Sequence, residues 1–124
     1  MTDQISNNIL IHTHGCKLNQ ADSDKMSREF VSAGYNVVDS INSADIYVLN
    51  TCTVTSTADS KARQALRAAH RKNPNALIVA AGCYSQRAED ELLNMPEVSL
   101  VVKNTEKDRI LGLINNIRQV DKPA

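Results

Sequence analysis

The chain has 124 residues, a length that suits one domain. Its 14 basic and 14 acidic residues cancel, so any contact with a nucleic acid or a membrane surface must come from a local patch. Aromatic residues make up 3% of the chain, which disfavours the base-stacking surface of a single-strand binder. No apolar run approaches the ~20 residues of a membrane span, and residues 1–8 lack a signal-peptide pattern. Three cysteines without an export signal predict a reducing cytoplasm and no membrane partner.

Strand-like and helix-like segments alternate along the chain. The predicted elements are, in order, a strand at 9–13, a helix at 21–33, strands at 35–38 and 45–50, a helix at 57–72, a strand at 76–81, a helix at 86–94, a strand at 98–102 and a helix at 106–118. This alternation is typical of an α/β fold with a parallel sheet. In the first helix, Met26, Phe30 and Ala33 have core-facing spacing, and Gly34 is the C-terminal stop. We expect a disordered N-terminus at 1–8, one domain at 9–118 and the start of a linker at 119–124.

Cys16, Cys52 and Cys83 each follow one of the predicted strands. The loops after parallel strands share one edge of a sheet, so these cysteines meet if the first, third and fourth strands are neighbours. The flavodoxin-like order 2-1-3-4-5 makes them neighbours, and we predict a three-layer sandwich with five parallel strands in that order. Residues 39–44 are short for a parallel crossover, which takes about a dozen residues or more. We therefore expect a single helical turn there, or a very short second strand.

The cysteine pattern favours a metal site. An odd count at wide spacing argues against disulfides, and the paired C-x-x-C of structural zinc is missing. Gly15 and Gly82 precede Cys16 and Cys83 and leave room for a bulky group beside the backbone. The hypothesis to test is a three-thiolate site, above all an iron–sulfur cluster with one iron left open. Two alternatives remain, a Cys3His zinc site that includes His14 and three thiols buried as small hydrophobes.

Other functions of flavodoxin-like domains require residues that this sequence lacks. A low-molecular-weight tyrosine phosphatase needs an arginine six positions after its cysteine, where Asp22, Ala58 and Glu89 stand. A receiver domain needs an aspartate at the end of the third strand, where Asn50 and Thr51 stand. The glycine-rich loops that bind nucleotides do not occur in the sequence.

Three segments carry a resemblance to a known family. They are Gly15-Cys16-Lys17-Leu18-Asn19-Gln20 with Ser23, Asn50-Thr51-Cys52-Thr53-Val54-Thr55, and Gly82-Cys83-Tyr84-Ser85-Gln86. Together they resemble the N-terminal domain of the radical-SAM methylthiotransferases, which attach a methylthio group to tRNA adenosines or to a ribosomal protein. The resemblance implies an auxiliary 4Fe–4S cluster held by Cys16, Cys52 and Cys83. It also implies tRNA as partner and, in the full-length protein, a second 4Fe–4S cluster and S-adenosylmethionine.

A finer resemblance concerns the substrate. Thr53-Val54-Thr55, with residues 58–64 and 71–76, is similar to the branch that acts at C2 of N6-threonylcarbamoyladenosine at tRNA position 37. The branch that acts on isopentenyladenosine, which usually has Ser-Val-Arg in the second motif, is the alternative subtype. Lys17 stands where the ribosomal-protein branch usually has proline. The alternative from another functional class is a non-catalytic flavodoxin-like module with a Cys3His zinc site or no metal.

Several polar residues are candidates for a place around the cluster or beside the substrate. They are Asn19, Gln20, Asn50, Thr53 and Gln86. A role in a turn or a helix cap explains each of them as well, and for Asn19 it is the simpler explanation.

The helix at 57–72 is locally basic. Arg63, Arg67 and Arg71 recur at four-residue spacing on one face, where they are candidates for contact with tRNA phosphates. A solvated helix face is the simpler explanation of the same pattern.

The sequence departs from the family pattern at His14, where leucine or tyrosine is common, and at Lys103, where glycine is common. Neither change removes a candidate ligand. The radical-SAM motif C-x-x-x-C-x-x-C and the C-terminal RNA-binding domain do not occur in this chain. We therefore expect a monomeric domain of a longer enzyme, without turnover of its own.

Overall fold

The computed structural model describes residues 8–14, 17–51, 56–82, 89–103 and 109–121. The elements are, in chain order, β1 (Asn8–His14), α1 (Lys17–Ser32), β2 (Asn36–Val37), a 3-10 helix (Ile41–Ser43), β3 (Ile46–Thr51), α2 (Ser56–Lys72), β4 (Leu77–Gly82), α3 (Glu89–Leu93), β5 (Leu100–Lys103) and α4 (Ile110–Asp121).

The strands form a single parallel sheet in the order β2-β1-β3-β4-β5. This order and the α/β flavodoxin-like architecture confirm the prediction from the sequence. β3 lies at the centre, and every one of its residues is buried. A strand covered on both faces is expected to be a continuous apolar run, and residues 46–49 have that character.

Helices cover both faces of the sheet, and each face has its own hydrophobic core. One core lies under α2 and α3 and includes Leu49 and Leu66. The other lies under α1 and α4 and includes Val48, Phe30 and Ile114. Val48 and Leu49 are consecutive residues of β3, so their side chains point to opposite faces and join the two cores to one strand.

The connection between β2 and β3 is short, as residues 39–44 predict. β2 has two residues, and the 3-10 helix supplies a single turn in place of a crossover helix. The side-chain amide of Asn73, just after α2, donates to the carbonyl oxygens of Ile41 at 3.0 Å and Ala44 at 2.8 Å. These hydrogen bonds fasten the turn to the end of α2 and fix the point at which the chain enters β3.

Helix α1 ends in a Schellman turn. The Gly34 N–H donates to the Val31 carbonyl and the Tyr35 N–H donates to the Phe30 carbonyl, with Gly34 at a φ of 98°. The rings of Phe30 and Tyr35 pack edge to face, with centroids 5.1 Å apart. The expectation that Ala33 faces the core is wrong, because the chain leaves the helix at this turn and Tyr35 takes the buried place.

Several element ends differ from the prediction. Helix α1 begins at Lys17 rather than at 21, because the polar residues of its first turn are compatible with a helix although they lack hydrophobic periodicity. Strand β1 begins at Asn8, whose N–H donates to the Asp45 carboxylate at 2.9 Å and whose carbonyl accepts from the Asp45 N–H at 2.8 Å. Helix α4 continues to Asp121. The predicted helix starts at 86 and 106 lie outside the described residues.

Within the described segments, no helix combines the length and the apolarity that crossing a bilayer requires.

Candidate functional site

Three strands end side by side at the carboxyl edge of the sheet. His14 of β1 pairs in register with Thr51 of β3, and Thr51 pairs with Gly82 of β4. Cys52 and Cys83 directly follow Thr51 and Gly82, and Cys16 lies two positions after His14. The three strand ends that precede the cysteines are therefore aligned on adjacent strands.

Most of the predicted site residues fall outside what the structure describes. Outside lie Cys16, Cys52, Thr53, Cys83 and Gln86, together with Gly15 and the side chains of His14, Asn19 and Gln20. Asn50, Arg63, Arg67 and Arg71 are described. Among the described residues, no three His, Cys, Asp or Glu side chains form a group that could hold a metal ion.

Gly82 brings the ends of β3 and β4 into close approach. Its φ of 103° lies in the left-handed region, and a Cβ atom there would stand 2.0 Å from the carbonyl oxygen of Thr51 and 2.8 Å from its nitrogen. The hydroxyl of Thr51 donates across the same gap to the Ala81 carbonyl at 3.4 Å. Space beside the backbone at Gly82 is therefore taken by the neighbouring strand, a reason for glycine that the sequence alone did not indicate.

A buried polar cluster lies one residue below these strand ends. Asn50 of β3 is fully buried, and its side-chain amide donates to the hydroxyl of Ser23 at 3.2 Å. The hydroxyls of Ser23 and Thr13, the residue of β1 in register with Asn50, share a hydrogen bond of 2.5 Å. Because Ser23 belongs to α1, the cluster fastens the first half of this helix to the two strands that precede Cys16 and Cys52.

No role was predicted for Ser23 from the sequence, although its position on the helix indicates one. It lies three residues before Met26 and seven before Phe30, on the stripe that faces the core. A polar residue on an apolar helical stripe indicates a buried hydrogen bond. Its partners were not predictable, because they depend on which strands lie under the helix.

An ion pair lies at the end of β5, on the far side of β4. Lys103 pairs in register with Gly82, and its ammonium nitrogen is 3.3 Å from a carboxylate oxygen of Glu89, the first residue of α3. The two side chains are 36% and 38% exposed.

A second polar pair lies within the sheet, on the face covered by α2. The ring nitrogen Nδ1 of His12 and the hydroxyl of Tyr47 are 2.8 Å apart, and the rings meet edge to face. Burial lowers the pKa of His12 and raises the pKa of Tyr47, so both side chains are neutral near pH 7. The pair borders a cleft of about 590 Å³ between the 3-10 helix and α2, which the short connection into β3 leaves open.

The arginines of α2 differ in their surroundings. Arg63 contacts Glu91 of α3, with 3.2 Å between Nη1 and Oε1. Arg67 and Arg71 are exposed. Arg63 therefore joins two helices, and only the other two members of the predicted row extend from the surface.

A further basic surface lies between α1 and α4. The cleft there has a volume of about 770 Å³, and Lys25, Arg28 and Arg109 outnumber the acidic Glu29 in its lining. This surface was not predicted from the sequence, because Arg109 is far from Lys25 and Arg28 in the chain.

The comparison with known proteins agrees with this architecture. The family model described as "Uncharacterized protein family UPF0004" matches residues 8–103. The solution structure of a response regulator protein from Burkholderia multivorans superposes with a TM-score of 0.57 at 13% identity, covering 97% of this chain and 98% of that chain. At this identity the likeness shows the fold alone.

Two curated relatives have named substrates. Threonylcarbamoyladenosine tRNA methylthiotransferase MtaB of Aquifex aeolicus is 45% identical over 106 residues, which are 86% of this chain and 26% of that protein. tRNA-2-methylthio-N(6)-dimethylallyladenosine synthase of Phocaeicola vulgatus is 32% identical over 105 residues, which are 82% of this chain and 23% of that protein. The chain thus spans about a quarter of the length of these relatives. It belongs to the UPF0004 family, which corresponds to the N-terminal domain of the methylthiotransferases.

Proposed function

We propose that this chain is the cluster-bearing N-terminal domain of a tRNA methylthiotransferase, with a 4Fe–4S cluster held by Cys16, Cys52 and Cys83. The observation that carries the proposal is the register of the strand ends, since His14, Thr51 and Gly82 lie on three adjacent strands. Family membership and the resemblance of the three cysteine motifs support it.

The donor set and the backbone suit such a cluster. Thiolates are the usual protein ligands of iron–sulfur clusters. Neighbouring strands lie ~4.8 Å apart, so the three cysteine-bearing segments leave the sheet within about 10 Å of one another. When bound, the cluster would supply an iron without a protein ligand, open to a sulfur ligand.

In this proposal, the described residues near the carboxyl edge of the sheet hold the strand ends and α1 in place. Gly82 allows the close approach of the ends of β3 and β4, and hydrogen bonds among Ser23, Thr13 and Asn50 hold α1 against β1 and β3. These contacts fix the segments from which the cysteines emerge. Of the residues proposed to surround the cluster or face the substrate, Asn50 takes part in this support, and Asn19, Gln20, Thr53 and Gln86 stay proposals.

For the substrate we propose N6-threonylcarbamoyladenosine at tRNA position 37, modified at C2. The chain is 45% identical to the relative named for threonylcarbamoyladenosine and 32% identical to the relative named for dimethylallyladenosine. The resemblance at Thr53-Val54-Thr55 supports the same choice. Methylthiolation of isopentenyladenosine is the alternative.

Contact with tRNA is proposed at the exposed Arg67 and Arg71. Both are exposed on α2. Arginine pairs well with phosphate, and each such contact adds to the salt dependence of binding. We assign Arg63 a smaller share, since it already contacts Glu91.

The remaining chemistry is proposed to belong to other parts of a longer protein. These parts would bind the second 4Fe–4S cluster and S-adenosylmethionine, and the chain alone would be a monomer without turnover. The cytoplasm is the proposed location, because tRNA is the proposed substrate.

The experiment is to express the full-length protein in a bacterial strain that lacks its own methylthiotransferases and to analyse tRNA nucleosides by mass spectrometry. We expect a methylthio group on threonylcarbamoyladenosine, and loss of that product in Cys52→Ala. A methylthio group on isopentenyladenosine instead would contradict the subtype. An unmodified tRNA pool, with the protein folded and loaded with iron, would contradict the enzymatic function.

A further inference from the structure

The aligned edge of the sheet continues to a lysine. The paired strand ends are, from β1 to β5, His14, Thr51, Gly82 and Lys103. The last of these places a positive charge one strand away from the residue that precedes Cys83. In the sequence, Lys103 stands where the family commonly has glycine.

The ammonium group of Lys103 has a carboxylate of α3 beside it. Lys103 has the same orientation on β5 as Val101, which packs into the core under α2 and α3, so its side chain lies on that face. There its nitrogen is 3.3 Å from Glu89 of α3. Both side chains are more than one third exposed, so the pair is accessible to a solute, and a pair this exposed adds little to stability.

The substrates named for the two relatives differ in charge. A threonylcarbamoyl group ends in the carboxylate of threonine, whereas a dimethylallyl group is a hydrocarbon. An ammonium group stabilises the carboxylate of the threonylcarbamoyl group. To contact the dimethylallyl group, the same ammonium group would have to lose its hydration without compensation. A cation at this edge would therefore favour the adenosine that carries the carboxylate.

We infer that Lys103 binds the carboxylate of the threonylcarbamoyl group at the edge of the sheet, where Glu89 is a neighbouring counter-ion. The inference rests on the proposed function and adds a residue that determines its specificity. No bond is made or broken at Lys103, which acts in substrate binding alone.

The test uses the full-length enzyme and two synthetic anticodon stem-loops, one with threonylcarbamoyladenosine and one with its methyl ester, which lacks the negative charge. Lys103→Met keeps the length of the side chain and removes its charge. A hydrogen bond to a charged group corresponds to a change of about tenfold to a hundredfold, so we expect KM for the acid to rise by about that factor at unchanged kcat. KM for the ester should stay the same. Lys25→Met, on α1 at the opposite face of the sheet, is the matched control and should change neither value.

Each outcome has a distinct meaning. An unchanged KM for the acid in Lys103→Met, or equal increases for acid and ester, would overturn the inference while the wild-type activity upholds the proposed function. Absence of wild-type activity on the acid would instead refute the proposed function itself. Lys103→Glu is the second variant, and we expect it to raise KM for the acid further than Lys103→Met does, again without a rise for the ester.

Discussion

Replacement of Gly82 by alanine tests whether the close approach of β3 and β4 at the carboxyl edge of the sheet requires glycine. Two separate observations make glycine necessary there, its φ of 103° and the 2.0 Å that would separate an added Cβ atom from the carbonyl oxygen of Thr51. The contacting atom belongs to the backbone of the central strand, so it cannot move aside as the end of a flexible side chain would. Relief requires the ends of β3 and β4 to separate.

The size of the effect follows from these two terms. A left-handed conformation costs a residue with a Cβ roughly 1–2 kcal/mol. Forcing an extra carbon into a packed position costs typically about 1–3 kcal/mol more. We therefore expect Gly82→Ala to lower the free energy of unfolding by about 2–5 kcal/mol, a large part of the roughly 5–15 kcal/mol that stabilises a typical domain.

The assay is urea unfolding of the chain, with two other glycines as matched controls. Gly34 has a φ of 98° with nothing within 4 Å of an added Cβ, so Gly34→Ala carries the conformational cost alone, about 1–2 kcal/mol. Gly112 lies in α4 with open space around it, so Gly112→Ala should be neutral or stabilising by up to about 1 kcal/mol. The difference between Gly82→Ala and Gly34→Ala isolates the contact with Thr51. A loss at Gly82 no larger than the loss at Gly34 would refute the close-approach argument.

Three further predictions concern the polar side chains. Ser23→Ala removes the hydroxyl that accepts from Asn50 and should cost about 1–3 kcal/mol in urea unfolding, whereas Ser32→Ala at the exposed end of the same helix should cost less than about 0.5 kcal/mol. Burial lowers the folded-state pKa of His12 below 6.5, so the unfolded state binds more protons as pH falls below that value, and stability decreases. His12→Gln should flatten this decrease in urea midpoints measured from about pH 8 to about pH 5. Arg67→Glu in the full-length protein should reduce the salt slope of tRNA binding by about one.

Each of these three predictions can fail in its own way. Equal losses of unfolding free energy in Ser23→Ala and Ser32→Ala would show that the buried cluster does not stabilise the strand ends. A pH profile that is the same with and without the histidine would contradict its lowered pKa. An unchanged salt slope would mean that the arginine belongs to a solvated helix face.

Strand order was predictable from the hypothesis that the three cysteines form one site. The sequence places Cys16, Cys52 and Cys83 after three different strands, and the order 2-1-3-4-5 makes those strands adjacent. Helix ends were less predictable. Ala33 continued the apolar spacing of α1, yet the chain turned at Gly34, and the choice between Ala33 and Tyr35 for the core depends on the packing of the turn.

The surroundings of the candidate site were predictable only in part. Gly82 stood out as a glycine before a cysteine, but its contact with Thr51 depends on how two strands approach, which no local pattern records. The ion pair of Lys103 and Glu89 likewise joins residues on different elements. The three cysteines were candidate ligands from the sequence alone and stay a prediction, whereas the contacts that hold the strand ends in place came from the tertiary structure.

The central claim is that Cys16, Cys52 and Cys83 together hold an iron–sulfur cluster. The most direct measurement is anaerobic reconstitution of the chain with iron and sulfide, followed by metal and sulfide analysis and a visible spectrum. Single alanine variants of the cysteines and His14→Ala are prepared in parallel. The histidine variant tests the zinc alternative, since a Cys3His site would lose its metal in all four variants.

The account predicts about four irons and four sulfides per chain with broad thiolate-to-iron absorbance, lost in each cysteine variant and kept in His14→Ala. One tightly bound zinc, or iron that persists after a cysteine is replaced, would contradict it.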